Sequence, residues 1–165
     1  MHSCVAARSA LILSLVLFSG CGGGDTSPTF VDNLVPVTGS VTVDGEKLAG
    51  VDVTLSPSEG ESGQIALGKT DADGNFTLYT PPGGPNVRLE YFPGVVPGAY
   101  KVTFSRFVLP DGTPWDSRNS TEGPMNVGAT ETMPPQLTNP HTTPHTVVIV
   151  ASGDNAADFQ IVTKR

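Results

Sequence analysis

The stretch that decides the fold is TGSVTVDGEKLAGVDVTLSP, residues 38–57. Apolar and polar residues alternate on both sides of its central DG dipeptide at residues 44–45, which favours a tight β-turn. Because side chains of a strand point alternately to opposite faces, each half predicts a strand with one buried face. The residues that would face a core are Val41, Val43, Val51, Val53 and Leu55.

The same period of two returns in four later segments, whereas no capped helical period of 3.6 occurs outside residues 1–20. Glycine and proline together supply 34 of the 165 residues, which indicates many turns. We therefore predict an all-β, immunoglobulin-like sandwich of about seven strands over residues 37–165. The later strand segments are GNFTLYT (74–80), AYKVTFSRF (99–107), HTVVIVA (145–151) and ADFQIVT (157–163).

Length and charge restrict the protein to a few classes. A chain of 165 residues is long enough for one domain with a real core. It carries 9 Lys and Arg against 16 Asp and Glu, a formal net charge of -7. Such a balance repels phosphate backbones, so no nucleic-acid partner is expected.

Residues 1–20 have the layout of a secretory signal peptide: Arg8, an apolar run too short to span a bilayer, then two small residues. The following FSGC motif resembles the lipobox of bacterial lipoproteins, although Phe18 stands where leucine is more usual. The resemblance implies cleavage before Cys21, thioether linkage of its sulfur to diacylglycerol, and acylation of its new amino group, for example with palmitate. An ordinary secreted protein, or a buried N-terminal strand with an idle thiol, is the alternative.

Residues 21–36 are predicted to be the lipidated cysteine and a flexible tether, because glycine, serine, threonine and proline dominate them. Gly22 is not the aspartate that retains many lipoproteins at the inner membrane. We therefore expect an exported protein, lipid-anchored to a bacterial membrane through Cys21, with the outer membrane or cell surface favoured. Removal of Cys4 with the signal would leave no free thiol and no disulfide.

Three segments, at residues 38–57, 68–80 and 94–104, together resemble the carboxypeptidase regulatory-like domain. This transthyretin-like or prealbumin-like sandwich occurs as an accessory module and in many small bacterial lipoproteins. The C-terminal stretch resembles one lipoprotein subset, but Leu137 and His145 replace its usual tyrosine and leucine. The resemblance implies the fold and says little about activity.

Two motifs raise the question of a metal site. DADGN at residues 71–75 has the first three ligand spacings of a calcium loop, but glycine stands at position four and Pro82 at position twelve. A hairpin turn is the better interpretation. His141 and His145 are four residues apart, yet Pro144 argues against a helix and no third ligand follows. We predict no metal and no cofactor.

No set of catalytic residues emerges from the sequence. The serines lie outside any G-x-S-x-G motif on a strand, turn and helix. Hydroxyisourate hydrolases share the transthyretin-like fold and end in Y-R-G-S, whereas this chain ends FQIVTKR. We therefore expect a protein that is not an enzyme.

Residues 105–132 are predicted to form a long loop, rich in proline, glycine, aspartate and threonine, between two strands. Phe107 and the single tryptophan, Trp115, are candidates for an interaction site, since an exposed indole could stack on a sugar or anchor a protein. The alternative, which we favour, is that Trp115 pins the loop to its own sandwich.

The expected function is that of a membrane-anchored, non-enzymatic envelope lipoprotein, acting as a structural or interaction module. Its partner would be an envelope protein or polysaccharide. The alternative is an accessory lipoprotein that captures a glycan or small ligand with the Trp115 loop. An ordered loop beside a concave surface would favour capture, and a loop without concavity would favour a scaffold.

Overall fold

The structure is a computed structural model that describes residues 29–81, 92–117 and 119–163. The predicted signal peptide and Cys21 lie outside these residues. The described chain contains eleven strands and three short 3-10 turns, and no α-helix. The strands are β1 (Val37–Val43), β2 (Glu46–Lys47), β3 (Asp52–Pro57), β4 (Ala66–Lys69), β5 (Asn75–Thr77), β6 (Gly98–Ser105), β7 (Phe107–Val108), β8 (Thr130–Glu131), β9 (Thr146–Ile149), β10 (Asn155–Ala156) and β11 (Phe159–Ile161).

The first sheet is built around β1, which is hydrogen-bonded along both of its edges. On one edge β5 and β2 pair with it antiparallel, and on the other β10 and β11 pair with it parallel. The turn into β2 has φ of 51° at Asp44 and 88° at Gly45, the left-handed pair that the DG dipeptide predicts. The N-terminal strand thus receives its parallel partners from the C-terminal end of the chain.

The second sheet has the order β4-β3-β6-β9, with every neighbouring pair antiparallel. Val53 lies opposite Phe104 and Leu55 opposite Val102 in the β3–β6 ladder. Two residues further along, Pro57 lies opposite Tyr100. This register places the apolar residues of both strands on one face, as their alternation requires.

The core lies between the two sheets and is made from the alternate residues of their strands. Every member of the apolar set predicted from residues 38–57 is buried except Val43, which packs partly buried against the core. The fully buried side chains are Val37, Val41, Val51, Val53, Leu55, Leu78, Thr80, Val95, Tyr100, Val102 and Phe104. The prediction of an all-β sandwich is confirmed.

The number of strands differs from the prediction of about seven. Each predicted strand segment forms a strand, and the others are β2, β4, β7, β8 and β10. Four of these have two residues each, too few to show a period in the sequence. The exception, β4, contains Gly68 and follows a polar stretch, so its alternation is weak.

The sandwich begins before the predicted boundary at residue 37. Val31–Asn33 forms a 3-10 turn, and Val35 exchanges two backbone hydrogen bonds with Val95, at 3.0 and 2.9 Å. Val35, which lies within the predicted tether, is therefore held against the sandwich by these two bonds. A single bridge residue between a turn and a strand gives no periodic signal.

Tyr100 joins the core to the turn that precedes β6. Its ring is fully buried, and its hydroxyl donates a 2.7 Å hydrogen bond to the carbonyl of Val96. The sequence predicts this arrangement, because a buried tyrosine needs a partner for its hydroxyl. Burial also raises the pKa of the Tyr100 hydroxyl.

Gly39 sits at the centre of β1, where neighbouring groups leave no room for a side chain. A Cβ there would lie 2.0 Å from the carbonyl oxygen of Ala157 and 2.7 Å from the ring of Phe76. Phe76 lies opposite Gly39 in the β1–β5 ladder and stacks with Phe159, with ring centroids 6.3 Å apart. The missing side chain is therefore what lets aromatic and backbone groups close over β1.

We expect Gly39→Ala to destabilise the domain by about 3 kcal/mol, because overpacking forces backbone and aromatic groups apart. Gly123→Ala is the matched control, since Gly123 has φ of -65° and a Cβ there meets nothing within 4 Å. Urea unfolding of both variants measures the change. Equal stability of the two variants would contradict the steric argument.

His145 is a half-buried histidine at the edge of the aromatic core. Its ring makes edge-on contacts with Phe104 and Phe159, at centroid distances of 5.3 and 6.1 Å. Burial lowers the pKa of the His145 imidazole, so the folded protein favours the neutral ring. The edge of the aromatic core thus contains a side chain that can become charged.

Protonation of His145 is expected to weaken the fold as the pH falls. Because its folded pKa lies below the unfolded value of about 6.5, its full contribution is present above that pH and is lost below it. His145→Leu should flatten the dependence of the unfolding free energy on pH between about 5 and 7. An unchanged slope in the Leu variant would refute the assignment.

Candidate ligand-binding groove

An open groove of about 920 Å³ runs over the side of the sandwich where β4 and β5 meet. Leu67 of β4 and Tyr79, two residues after β5, exchange backbone hydrogen bonds of 2.8 and 2.9 Å there. The outer faces of both sheets contribute to its lining, and the segment after β7 adds one wall. The lining residues are Thr38, Gly39, Ser40, Asp52, Val53, Thr54, Leu67, Gly68, Lys69, Asp71, Asn75, Phe76, Thr77, Tyr79, Asp116, Ser117, Ala156 and Asp158.

Hydroxyl side chains on the strands form much of the groove's polar lining. In β1 the side chains of Val37 and Val41 are buried. Because side chains alternate along a strand, the hydroxyls of Thr38 and Ser40, on either side of Gly39, face outward. Thr54 in β3 and Thr77 in β5 likewise alternate with buried apolar neighbours. Four hydroxyls are thus held on a rigid sheet surface by the same period that builds the core.

Asp52 and Lys69 form an ion pair in the groove. They face each other in the β3–β4 ladder, and Lys69 Nζ lies 2.6 Å from Asp52 Oδ1. Burial raises the pKa of the Asp52 carboxyl, and the hydrogen bond and charge of Lys69 oppose that rise. The negative charges of Asp116 and Glu131 raise it further. The pair is therefore part of a larger set of charges that includes the adjoining segment.

Two other carboxylates of the groove are oriented by hydrogen bonds within the domain. Ser40 Oγ donates to Asp158 Oδ1 at 2.7 Å. Asp71 Oδ1 accepts the backbone N–H groups of Asp73 and Asn75, both at 2.9 Å. The carboxylate of Asp158 links the residue before β11 to β1, and that of Asp71 closes the turn before β5.

The hydrogen bonds to Asp71 show the local structure of the DADGN motif, for which the sequence left a calcium loop or a hairpin turn open. Gly74 has φ of 73°, and its N–H donates to the Asp71 carbonyl at 3.1 Å, as expected for the predicted hairpin turn.

Within the residues that the structure describes, no three histidine, cysteine, aspartate or glutamate side chains are grouped so that they could hold a metal ion. The same described ranges contain no helix long and apolar enough to cross a membrane.

Trp115 packs inside its own segment and is not an exposed platform. Its ring is half-buried and meets Phe107 edge-on at a centroid distance of 6.4 Å. The backbone N–H of Trp115 donates to the backbone carbonyl of Phe107 at 2.8 Å. The indole Nε1 is buried and has no hydrogen-bond partner among the described residues. These contacts lie within the 105–132 segment itself, and the next residues, Asp116 and Ser117, line the groove.

The segment 105–132, predicted as a loop, contains regular structure. β7 and β8 pair antiparallel into a small ribbon, and Pro124–Val127 forms a 3-10 turn. A two-residue strand paired across twenty-one intervening residues leaves no local signal in the sequence. The candidate interaction residues Phe107 and Trp115 therefore stabilise this ribbon from within.

Glu131 fixes the ribbon to the main sandwich. Its carboxylate accepts hydrogen bonds from the Ser105 hydroxyl, from the N–H of Arg106 at 2.8 Å and from the N–H of Met133 at 2.9 Å. Arg106 in turn donates through Nε to the carbonyl of Ala49 at 2.8 Å. One carboxylate thus satisfies donors at the start of the segment and just after its end.

Glu131→Ala should destabilise the domain by about 2 kcal/mol, because it leaves donors of a charge-assisted network without an acceptor. It should also speed proteolysis between residues 107 and 130. Glu122→Ala, at an exposed position of the same segment, is the control and should change neither property. Urea unfolding and limited proteolysis measure the two effects, and wild-type behaviour of the Glu131 variant would contradict this role.

Comparisons with known proteins give no family assignment. No family model matches the chain, and no curated protein matches it. Among solved structures, a 9R-lipoxygenase from Cyanothece PCC8801 matches at 14% identity and a TM-score of 0.35. The match covers 84% of this chain and 17% of the lipoxygenase. A similarity at this level supports no conclusion about function.

The groove itself was not predicted from the sequence. It joins residues of β1, β3, β4 and β5 to Asp116 and Asp158, which are distant along the chain. The alternation of the strands indicates which residues face outward, but not which outward faces adjoin one another. Only the meeting of β4 with β5 brings them together.

Proposed function

We propose that the protein is a non-enzymatic, membrane-anchored envelope lipoprotein whose sandwich acts as an interaction module. The anchor rests on the sequence, in which a short apolar signal is followed by FSGC and Cys21. The resemblance to the carboxypeptidase regulatory-like domain supports the same class, because that domain serves as an accessory module. Several acyl chains would give stable membrane attachment.

The observation that carries the interaction role is the groove between the outer faces of β1, β3, β4 and β5. Its size lies within the range of small-molecule sites, and its polar groups stand on strands. This concavity favours ligand capture as the second candidate function. In that case the Trp115 segment contributes through Asp116 and Ser117, while the indole ring keeps the segment in place.

Lipidation is tested on protein purified from the membranes of its own host. We expect the wild-type chain to lack residues 1–20, to carry two or three acyl chains by intact-mass spectrometry, and to partition with membranes. Cys21→Ser should remain unacylated and should not partition with membranes, because its hydroxyl cannot form the thioether. Cys4→Ser is the matched control and should behave like wild type.

A soluble, unmodified wild-type chain would refute the anchor. The better hypothesis would then be a secreted binding module with a free Cys21. Lipidation of the Cys21→Ser variant would place the acyl chains on another residue and would refute this site.

A further inference from the structure

We propose that the groove between β4, β5 and the Asp116 segment binds a saccharide that carries no negative charge. The inference rests on the proposed function, because it assumes that the groove is the surface through which the module interacts. The groups that line the groove define the class of ligand, and the Trp115 ring is not among them.

The hydroxyl lining matches the hydrogen-bonding needs of a polyol. Each of the side chains of Thr38, Thr54 and Thr77 can donate one hydrogen bond and accept others, and Ser40, whose proton goes to Asp158, can still accept. A sugar hydroxyl likewise donates and accepts, so either partner can take either role along the groove. Asn75 adds an amide, which offers both kinds of group at one side chain.

The carboxylates add fixed acceptors for sugar hydroxyl protons. Asp158 uses Oδ1 to accept from Ser40, and Asp52 uses Oδ1 in the ion pair with Lys69. Each carboxylate has a second oxygen and remaining lone pairs that could accept from a ligand. Because the first bonds already orient these groups, ligand binding would require little further ordering of them.

Charge decides which saccharides fit. The lining contains four carboxylates, of Asp52, Asp71, Asp116 and Asp158, and one ammonium group, of Lys69. This excess of negative charge repels phosphate, sulfate and uronate groups. A neutral sugar escapes that repulsion, and an amino sugar would be attracted.

The apolar part of the lining lies beside these polar groups. Leu67 and Tyr79, both half-buried, line the groove where β4 meets β5. C–H groups of a sugar ring can pack on such side chains while its hydroxyls reach the neighbouring threonines. The combination of apolar lining with a few oriented polar groups is usual for small-ligand sites.

The test uses the full lipidated chain in detergent and three probes by isothermal titration calorimetry: the hexasaccharides of N-acetylglucosamine, of glucosamine and of galacturonic acid. We expect binding of at least one of the first two and none of the third. Asp116→Asn and Asp158→Asn should each weaken that binding about tenfold, because each removes a charged acceptor. Asp154→Asn, an exposed site outside the groove, should bind like wild type.

Amide chemical-shift changes on titration should fall on β1, β4 and β5. Binding of the galacturonic acid probe alone, or of none of the three, would overturn the ligand class. Binding that the Asp116 and Asp158 variants leave unchanged, or that shifts amides elsewhere, would overturn the groove. Either failure leaves the result of the Cys21 mass measurement unaffected, so the ligand proposal and the anchor proposal are distinguishable.

Discussion

The pairing of β1 along both of its edges is the constraint on which the rest of the sandwich depends. Groups from the neighbouring strands approach the centre of β1 so closely that no side chain fits there. Gly39, which has no side chain, occupies that position. Phe76 and the Ala157 backbone occupy the space that its missing side chain leaves. The aromatic stack of Phe76 and Phe159 then covers the centre of β1, and the second sheet packs against the same apolar layer.

The groove follows from the same arrangement. Alternation in β1, β3 and β5 buries valine, leucine and phenylalanine, and therefore turns the intervening threonines and serine outward. The meeting of β4 with β5 brings the outward faces of the two sheets together. Glu131 and Trp115 hold the 105–132 segment, so that Asp116 and Ser117 complete one wall. The alternation of apolar and polar residues along these strands thus determines both the packing of the core and the hydroxyl groups of the groove.

Much of the fold could be predicted from the sequence, because its main strands are long enough to show alternation and are separated by turn residues. The DG turn, the hairpin at Gly74 and the buried Tyr100 with its bonded hydroxyl all follow from local chemistry. The two-residue strands and the β7–β8 ribbon could not be predicted, because they depend on pairing between distant residues. The groove was beyond prediction for the same reason, since Asp52, Asp116 and Asp158 meet only after both sheets have formed.

The parallel pairing of β1 with β11 has a consequence for how the chain reaches its native state. Val41 lies opposite Phe159, so the first strand finds this neighbour only when nearly the whole domain is available. Closing so large a loop early is entropically costly, and sheets rich in such pairings fold slowly. During synthesis this edge of β1 would stay unpaired until the last strands emerge. A chaperone that recognises short apolar strands would have its longest opportunity to bind there.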